Sequence, residues 1–125
     1  METPNTTTVA ILGASNNPDR YSHRALTMLR EHGYDAVPIH PALDSIDGVP
    51  VAHSIGEIDR PVDTLTLYVN PDRLRDLLDD VVALKPRRVI FNPGTESPTA
   101  RSRLEESKIA CQEACTLVLL RTGQF

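Results

Sequence analysis

Short apolar runs alternating with helical patterns along a 125-residue chain predict an α/β fold, a doubly wound sheet of five parallel strands. Three observations carry that expectation. Val9-Ala10-Ile11-Leu12 is too short for a helix and uniformly apolar, so it reads as a strand buried on both faces and stopped by Gly13. A polar turn, a helix and a second strand follow within about 30 residues, the length of a right-handed βαβ unit, which makes the two strands parallel. Further strand-then-helix successions begin at Thr64 and Arg88, with Asn-Pro or Ser-Pro pairs marking the helix starts.

In order along the chain, Met1 to Thr8 is polar and is expected to be a disordered tail preceding a single domain over 9–125. Tyr21 to His32 has helical spacing, with Tyr21, Ala25, Met28 and Leu29 on one face, and Gly33 suits the helix C-terminus. Tyr34 to Ile39 is a second strand ended by His40-Pro41. Residues 42–61 look irregular, with a turn at Asp47-Gly48 and a Ser54-x-x-Glu57 capping box that predicts one short helical turn. Thr64 to Val69 alternates, with Leu65, Leu67 and Val69 on one face and Thr64, Thr66 and Tyr68 on the other. Such a half-polar strand is expected at a sheet edge.

Asn70 then caps, and Pro71 begins, a helix whose Leu74, Leu77, Leu78, Val81 and Val82 form one apolar stripe ending before Pro86. The mixed charges on its other side read as a solvated face. Arg88 to Phe91 is a fourth strand, Asn92 to Glu96 the loop after it, and Ser97-Pro98 the start of a helix to about Ser107. Ile109 to Ala114 is the fifth strand. Cys115 to Thr122 reads as a short helix, although Leu117 to Leu120 also suits a strand. With the half-polar strand at one edge, the expected order is 3-2-1-4-5. Winding then reverses between strands one and four, and ligands bind beyond the carboxyl ends at such a point. The loops there are Gly13 to Arg20 and Asn92 to Glu96.

Composition narrows the partners. A net charge of -4, with basic residues scattered along the chain, argues against nucleic acid. Aromatic residues make up 4% and tryptophan is absent, so stacking platforms for single strands are not expected. No apolar run approaches the ~20 residues of a membrane span, and Cys111 and Cys115 are too few for a disulfide scaffold or zinc site, so a reducing cytoplasmic setting is expected. The half-polar third strand and the Leu117 to Leu120 run are candidate homodimer surfaces.

The turn after Val9–Leu12 carries the chemistry. A strand, a glycine turn and a helix N-terminus direct backbone N–H groups and the positive dipole end at one point, which favours a phosphate or pyrophosphate. Gly13, Ser15, Asn16 and Asn17 are the candidate contacts, and Arg20 is a fixed cation beside that helix start. The G-x-G-x-x-G fingerprint is missing, and His40-Pro41 stands where a dinucleotide site places an acidic residue; Asp35 begins the strand instead. The Gly-Lys-Ser/Thr of a P-loop is also missing. His23, His32 and His53 lack metal-ligand spacing, and no acidic pair, Ser/His/Asp set or Cys/His spacing is evident, so no catalytic residue is assigned.

Val9 to Ser22, Gly-Tyr-Asp-Ala-Val-Pro-Ile-His-Pro at 33–41, Pro61-Val62-Asp63 and the ending at 113–125 resemble the CoA-binding domains related to the N-terminal domain of the succinyl-CoA synthetase alpha subunit. The likeness is closer to the small stand-alone bacterial proteins of that family. It implies a Rossmann-like fold and coenzyme A as ligand, with phosphate contacts at Gly13, Ala14, Ser15 and Asn16. It further implies contacts at His40 and Pro41 and at Asn92, Pro93 and Gly94. The family often has Asn where this chain has His40, and a Gln-containing turn at 92–94. The synthetase's catalytic histidine belongs to a second domain with no counterpart here, so ligase activity is not implied. Noncovalent binding of CoA or acyl-CoA, as carrier or sensor, is therefore the expected function. The alternatives are an NAD(P)-binding redox enzyme or sensor and a regulatory protein-interaction module.

Overall fold

The computed structural model describes residues 7–125. The expected tail lies mostly outside these residues, but Thr8 is buried and belongs to the first strand. The elements are β1 (Thr8–Leu12), α1 (Tyr21–Glu31), β2 (Asp35–Ile39), β3 (Ser45–Ile46), β4 (Val49–Pro50), β5 (Thr64–Leu67), α2 (Pro71–Leu84), β6 (Arg88–Phe91), α3 (Pro98–Glu106), β7 (Ala110–Glu113) and α4 (Thr116–Arg121). A single 3₁₀ turn at Ile55–Glu57 stands where the capping box predicts it, and Glu57 Oε2 accepts the Ser54 amide at 3.1 Å.

The main sheet is five-stranded in the order β2-β1-β5-β6-β7, and every pairing is parallel. Alternation along the strands sends two sets of side chains to opposite faces. Ala10, Leu12, Leu65, Leu67, Val89 and Phe91 meet Leu74, Leu78 and Val81 of α2 and Leu104 of α3. Val9, Ile11 and Ala36 meet Leu26 and Leu29 of α1, Leu120 of α4, and Ile46 and Val49 of the β3–β4 hairpin. That hairpin turns at Asp47-Gly48, both in the left-handed region, as a two-residue hairpin turn requires.

The α/β doubly wound fold agrees with the sequence expectation, but the strand order does not. The Thr64 strand is central rather than an edge. Its polar face is buried because hydrogen bonds satisfy it: the Thr66 and Thr116 hydroxyls lie 2.8 Å apart, and Asn92 Nδ2 donates to Thr66 Oγ1 at 2.6 Å. Counted within this sheet the order is 2-1-3-4-5, so winding reverses between β1 and β5.

Two further expectations change with it. Tyr21 is 66% exposed, and the inward face of α1 is Ser22, Ala25, Leu26 and Leu29. Neither expected homodimer surface is free, because the Thr64 strand is paired on both sides, and Leu117, Leu119 and Leu120 form the buried inner face of α4, leaving Val118 as the exposed member of that run. No described helix is long and apolar enough to cross a membrane.

Candidate ligand crevice

The reversal places the crevice between the loops that follow β1 and β5. At its centre Gly13 ends β1 with φ +90°, and the abutting Tyr68 carbonyl leaves no room for a Cβ. The glycine therefore serves the close approach of two backbones as well as the opening of the turn. Two cavities meet at this residue.

The first, of about 490 Å³, is lined by Gly13, Ser15, Asp19, Arg20, Tyr21, Ser22 and Tyr68. Its turn is held by its own side chains: Ser15 Oγ accepts the Asn17 amide at 3.0 Å, and Asn17 Oδ1 accepts the Asp19 amide at 3.0 Å. The Ala14 amide donates to the Ile39 carbonyl at 3.2 Å, tying the loop to the end of β2 and occupying that donor. Asn16 is exposed on the turn. Arg20 is the N-cap residue of α1, yet no side chain caps this helix and its first turn has no acidic residue. Uncapped N–H groups beside an arginine form an anion-favouring corner. Asp19 alone opposes it.

Tyr68 forms the back of this cavity. Its hydroxyl is buried without a hydrogen bond. Burial pushes its pKa up to about 12; the neighbouring Thr116 and Thr66 hydroxyls favour ionisation but stand outside hydrogen-bond geometry, so the phenol stays protonated.

The second cavity, of about 390 Å³, lies on the β2 side of Gly13. Leu12, Ile39, Ile55, Val69 and Leu77 supply apolar surface, and His40, Pro41, His53, Ser54 and Arg73 the rest. His40 Nδ1 accepts the amides of Ala42 and Leu43 at 3.0 and 3.1 Å. It thereby closes the turn as an asparagine Oδ1 would.

Residues 92–94 are not brought to either cavity. Asn92 is buried, its Nδ2 donating to Thr66 Oγ1 and the Leu67 carbonyl and its Oδ1 accepting the Thr116 amide at 2.9 Å. Pro93 and Gly94 are exposed, and the Gly94 amide donates to Glu96 Oε1 at 2.8 Å. Cys115 is the N-cap residue of α4, and burial pushes the Cys111 thiol pKa up to about 11. Tyr68, Val69, Arg73, His53 and Ser54 escaped the sequence reading. The local signals, the Asn70-Pro71 helix start for Tyr68, Val69 and Arg73 and the Ser54-x-x-Glu57 turn for His53 and Ser54, were legible, but their positions beside Gly13 depend on the tertiary fold.

Larger open space lies at the other end of the sheet, a cavity of about 640 Å³ lined in part by Asp35, Arg60, Asp63, Lys85 and Arg87. Its arginines are already paired, Arg60 with Asp35 at 2.7 Å and Arg87 with Asp63 at 2.8 Å. It also faces away from the carboxyl ends of the strands, where parallel sheets bind ligands.

A parallel sheet with helices on both faces and a crevice at the winding reversal defines a Rossmann-like α/β protein. More particularly, the chain belongs to the CoA binding domain family, whose model matches residues 7–121. Uncharacterized protein YneT of Bacillus subtilis is 31% identical over 72 residues, a stretch covering 58% of this chain and 53% of that protein. A structure from Thermus thermophilus, described as cell-free ID.343, is 31% identical with a TM-score of 0.88, covering 96% of this chain and 91% of that one. The crystal structure of another uncharacterized protein is 35% identical with a TM-score of 0.85, covering 96% and 98%.

Proposed function

We propose that this protein binds coenzyme A or an acyl-CoA noncovalently and acts as a carrier or sensor of it. The observation that carries this reading is the crevice at the β1–β5 reversal, with cavities on both sides of Gly13, in a chain of the CoA binding domain family. The pyrophosphate occupies the corner made by Ser15, Asn16, Asn17 and Arg20, where uncapped α1 amides and a guanidinium favour negative charge. The adenosine lies across Gly13 against the apolar surface of the second cavity, with His40 and Pro41 at its rim. No group of three or more potential metal-ligating side chains is assembled among the described residues.

Calorimetric titration with CoA and acetyl-CoA, using NAD and ATP as controls, tests the reading. Selective CoA heat is expected, weakened about tenfold by Arg20→Gln, the scale of one charge-assisted contact. Absence of CoA binding by ligand-free protein overturns it.

A further inference from the structure

We infer that the cavity bearing His40 and Arg73 recognises a phosphomonoester on the adenosine ribose, so that the protein distinguishes coenzyme A from dephospho-CoA. The inference rests on the binding mode above.

Its first support is the chemistry of the walls. The lining of this cavity contains an apolar floor, Ser54, two histidines and Arg73, and no carboxylate. An adenine ring suits the floor, while the polar side chains of the lining are hydroxyl, imidazole and guanidinium; the nearby Asp44 and Glu57 carboxylates are engaged by His53. The neighbouring cavity differs, because Asp19 shares it with Arg20.

Arg73 is the second support. It makes no ion pair among the described residues, and the adjacent Asp72 is turned to Arg75 at 3.4 Å. It also sits in the first turn of α2, where the helix dipole already disfavours a cation. An anion in the cavity relieves both conditions. By contrast, the ring of His53 already has carboxylate partners, its Nε2 lying 2.9 Å from Asp44 and its Nδ1 3.7 Å from Glu57.

The tautomer of His40 is the third. Because Nδ1 accepts two backbone amides, the ring proton resides on Nε2, and that N–H has no partner among the described residues. The ring thus brings a donor, oriented from behind, to the cavity that Arg73 lines. A fork of donors and a neighbouring N–H match the three oxygens of a phosphomonoester. The 3′-phosphate of CoA and the 2′-phosphate of NADPH share this chemistry, and the test separates them.

Calorimetry with CoA, dephospho-CoA and NADPH is run on the natural protein and on Arg73→Gln, His40→Asn and Arg30→Gln. CoA is expected to bind about 10- to 100-fold tighter than dephospho-CoA. That ratio should approach one in Arg73→Gln and fall in His40→Asn, which keeps the turn acceptor but withdraws the Nε2 donor. It should persist in Arg30→Gln, a charge removed at the far end of α1. Equal affinity for CoA and dephospho-CoA in the natural protein overturns the inference while leaving CoA binding intact. A ratio that survives Arg73→Gln also overturns it. Preference for NADPH over CoA upholds phosphomonoester recognition and overturns the CoA reading. Binding of none of the three overturns both.

Discussion

A Cβ built on Gly13 stands 2.6 Å from the carbonyl oxygen of Tyr68, closer than real Cβ contacts come. The turn after β1 and the turn after β5 therefore touch backbone to backbone at the centre of the crevice. Gly13→Ala is expected to lose about 2 to 5 kcal/mol of stability through combined left-handed strain and overpacking. Urea denaturation measures it, and an unchanged midpoint with an unchanged slope refutes the close approach. Lost ligand affinity in this variant says nothing about phosphate contact, which is why Arg20 is the better probe.

Asn92, directly after β6, bonds to Thr66 and Leu67 of β5 and to Thr116 of α4. Asn92→Ala leaves buried donors and acceptors unpaired, and a loss of about 2 to 4 kcal/mol follows. Thermal unfolding and CoA titration of the same variant separate two roles: weakened CoA binding at unchanged stability would make Asn92 a ligand contact instead.

Thr66 supplies the acceptor for Asn92 and the partner for Thr116, so Thr66→Val and Asn92→Ala should not be additive. A double-mutant cycle is expected to show coupling of about 0.5 to 3 kcal/mol. Additive losses would mean that the three side chains do not act as a network.

Asp35 and Asp63 are held below the usual carboxyl value of 3.8 chiefly by hydrogen bonds from Arg60 and Arg87, with burial opposing. The unfolded chain takes up these protons first as pH falls. The stabilisation is thus complete above the unfolded value and is lost as pH drops through the lower folded values. Both arginines are substantially exposed, so each pair contributes about 1 kcal/mol or less. Melting temperature should decline below pH 4, and the combined Asp35→Asn, Asp63→Asn variant should have a shallower acid limb. An identical limb in that variant excludes these pairs as its cause.

Phe125 packs against Tyr34 with ring centres 5.1 Å apart and lies 4.5 Å from the Arg88 guanidinium. Phe125→Ala is expected to cost about 1 to 3 kcal/mol and to alter Tyr34 fluorescence. Unchanged stability would show that this contact is not retained in solution.

Local rules made the elements legible. The Val9–Leu12 run, the Asn70 and Ser97 caps with their prolines, and the Ser54-x-x-Glu57 turn all act within a few residues, so their geometry follows from side chains a reader can see together. The glycine turn was legible for the same reason. The place of Arg73 in the cavity wall was not, since a charge on a helix face reads as solvated until the opposite wall is known.

By itself the sequence determined the alternation of strands and helices, the buried character of β1 and the glycine turn that ends it. Only the tertiary structure decided that the Thr64 strand is central, because hydroxyls that look solvent-facing in isolation are satisfied by Asn92 and Thr116, distant in sequence. That placement moved the winding reversal beside β5. The second wall of the crevice is consequently Tyr68, Val69 and Arg73, while Asn92 became the bond that holds the sheet to α4.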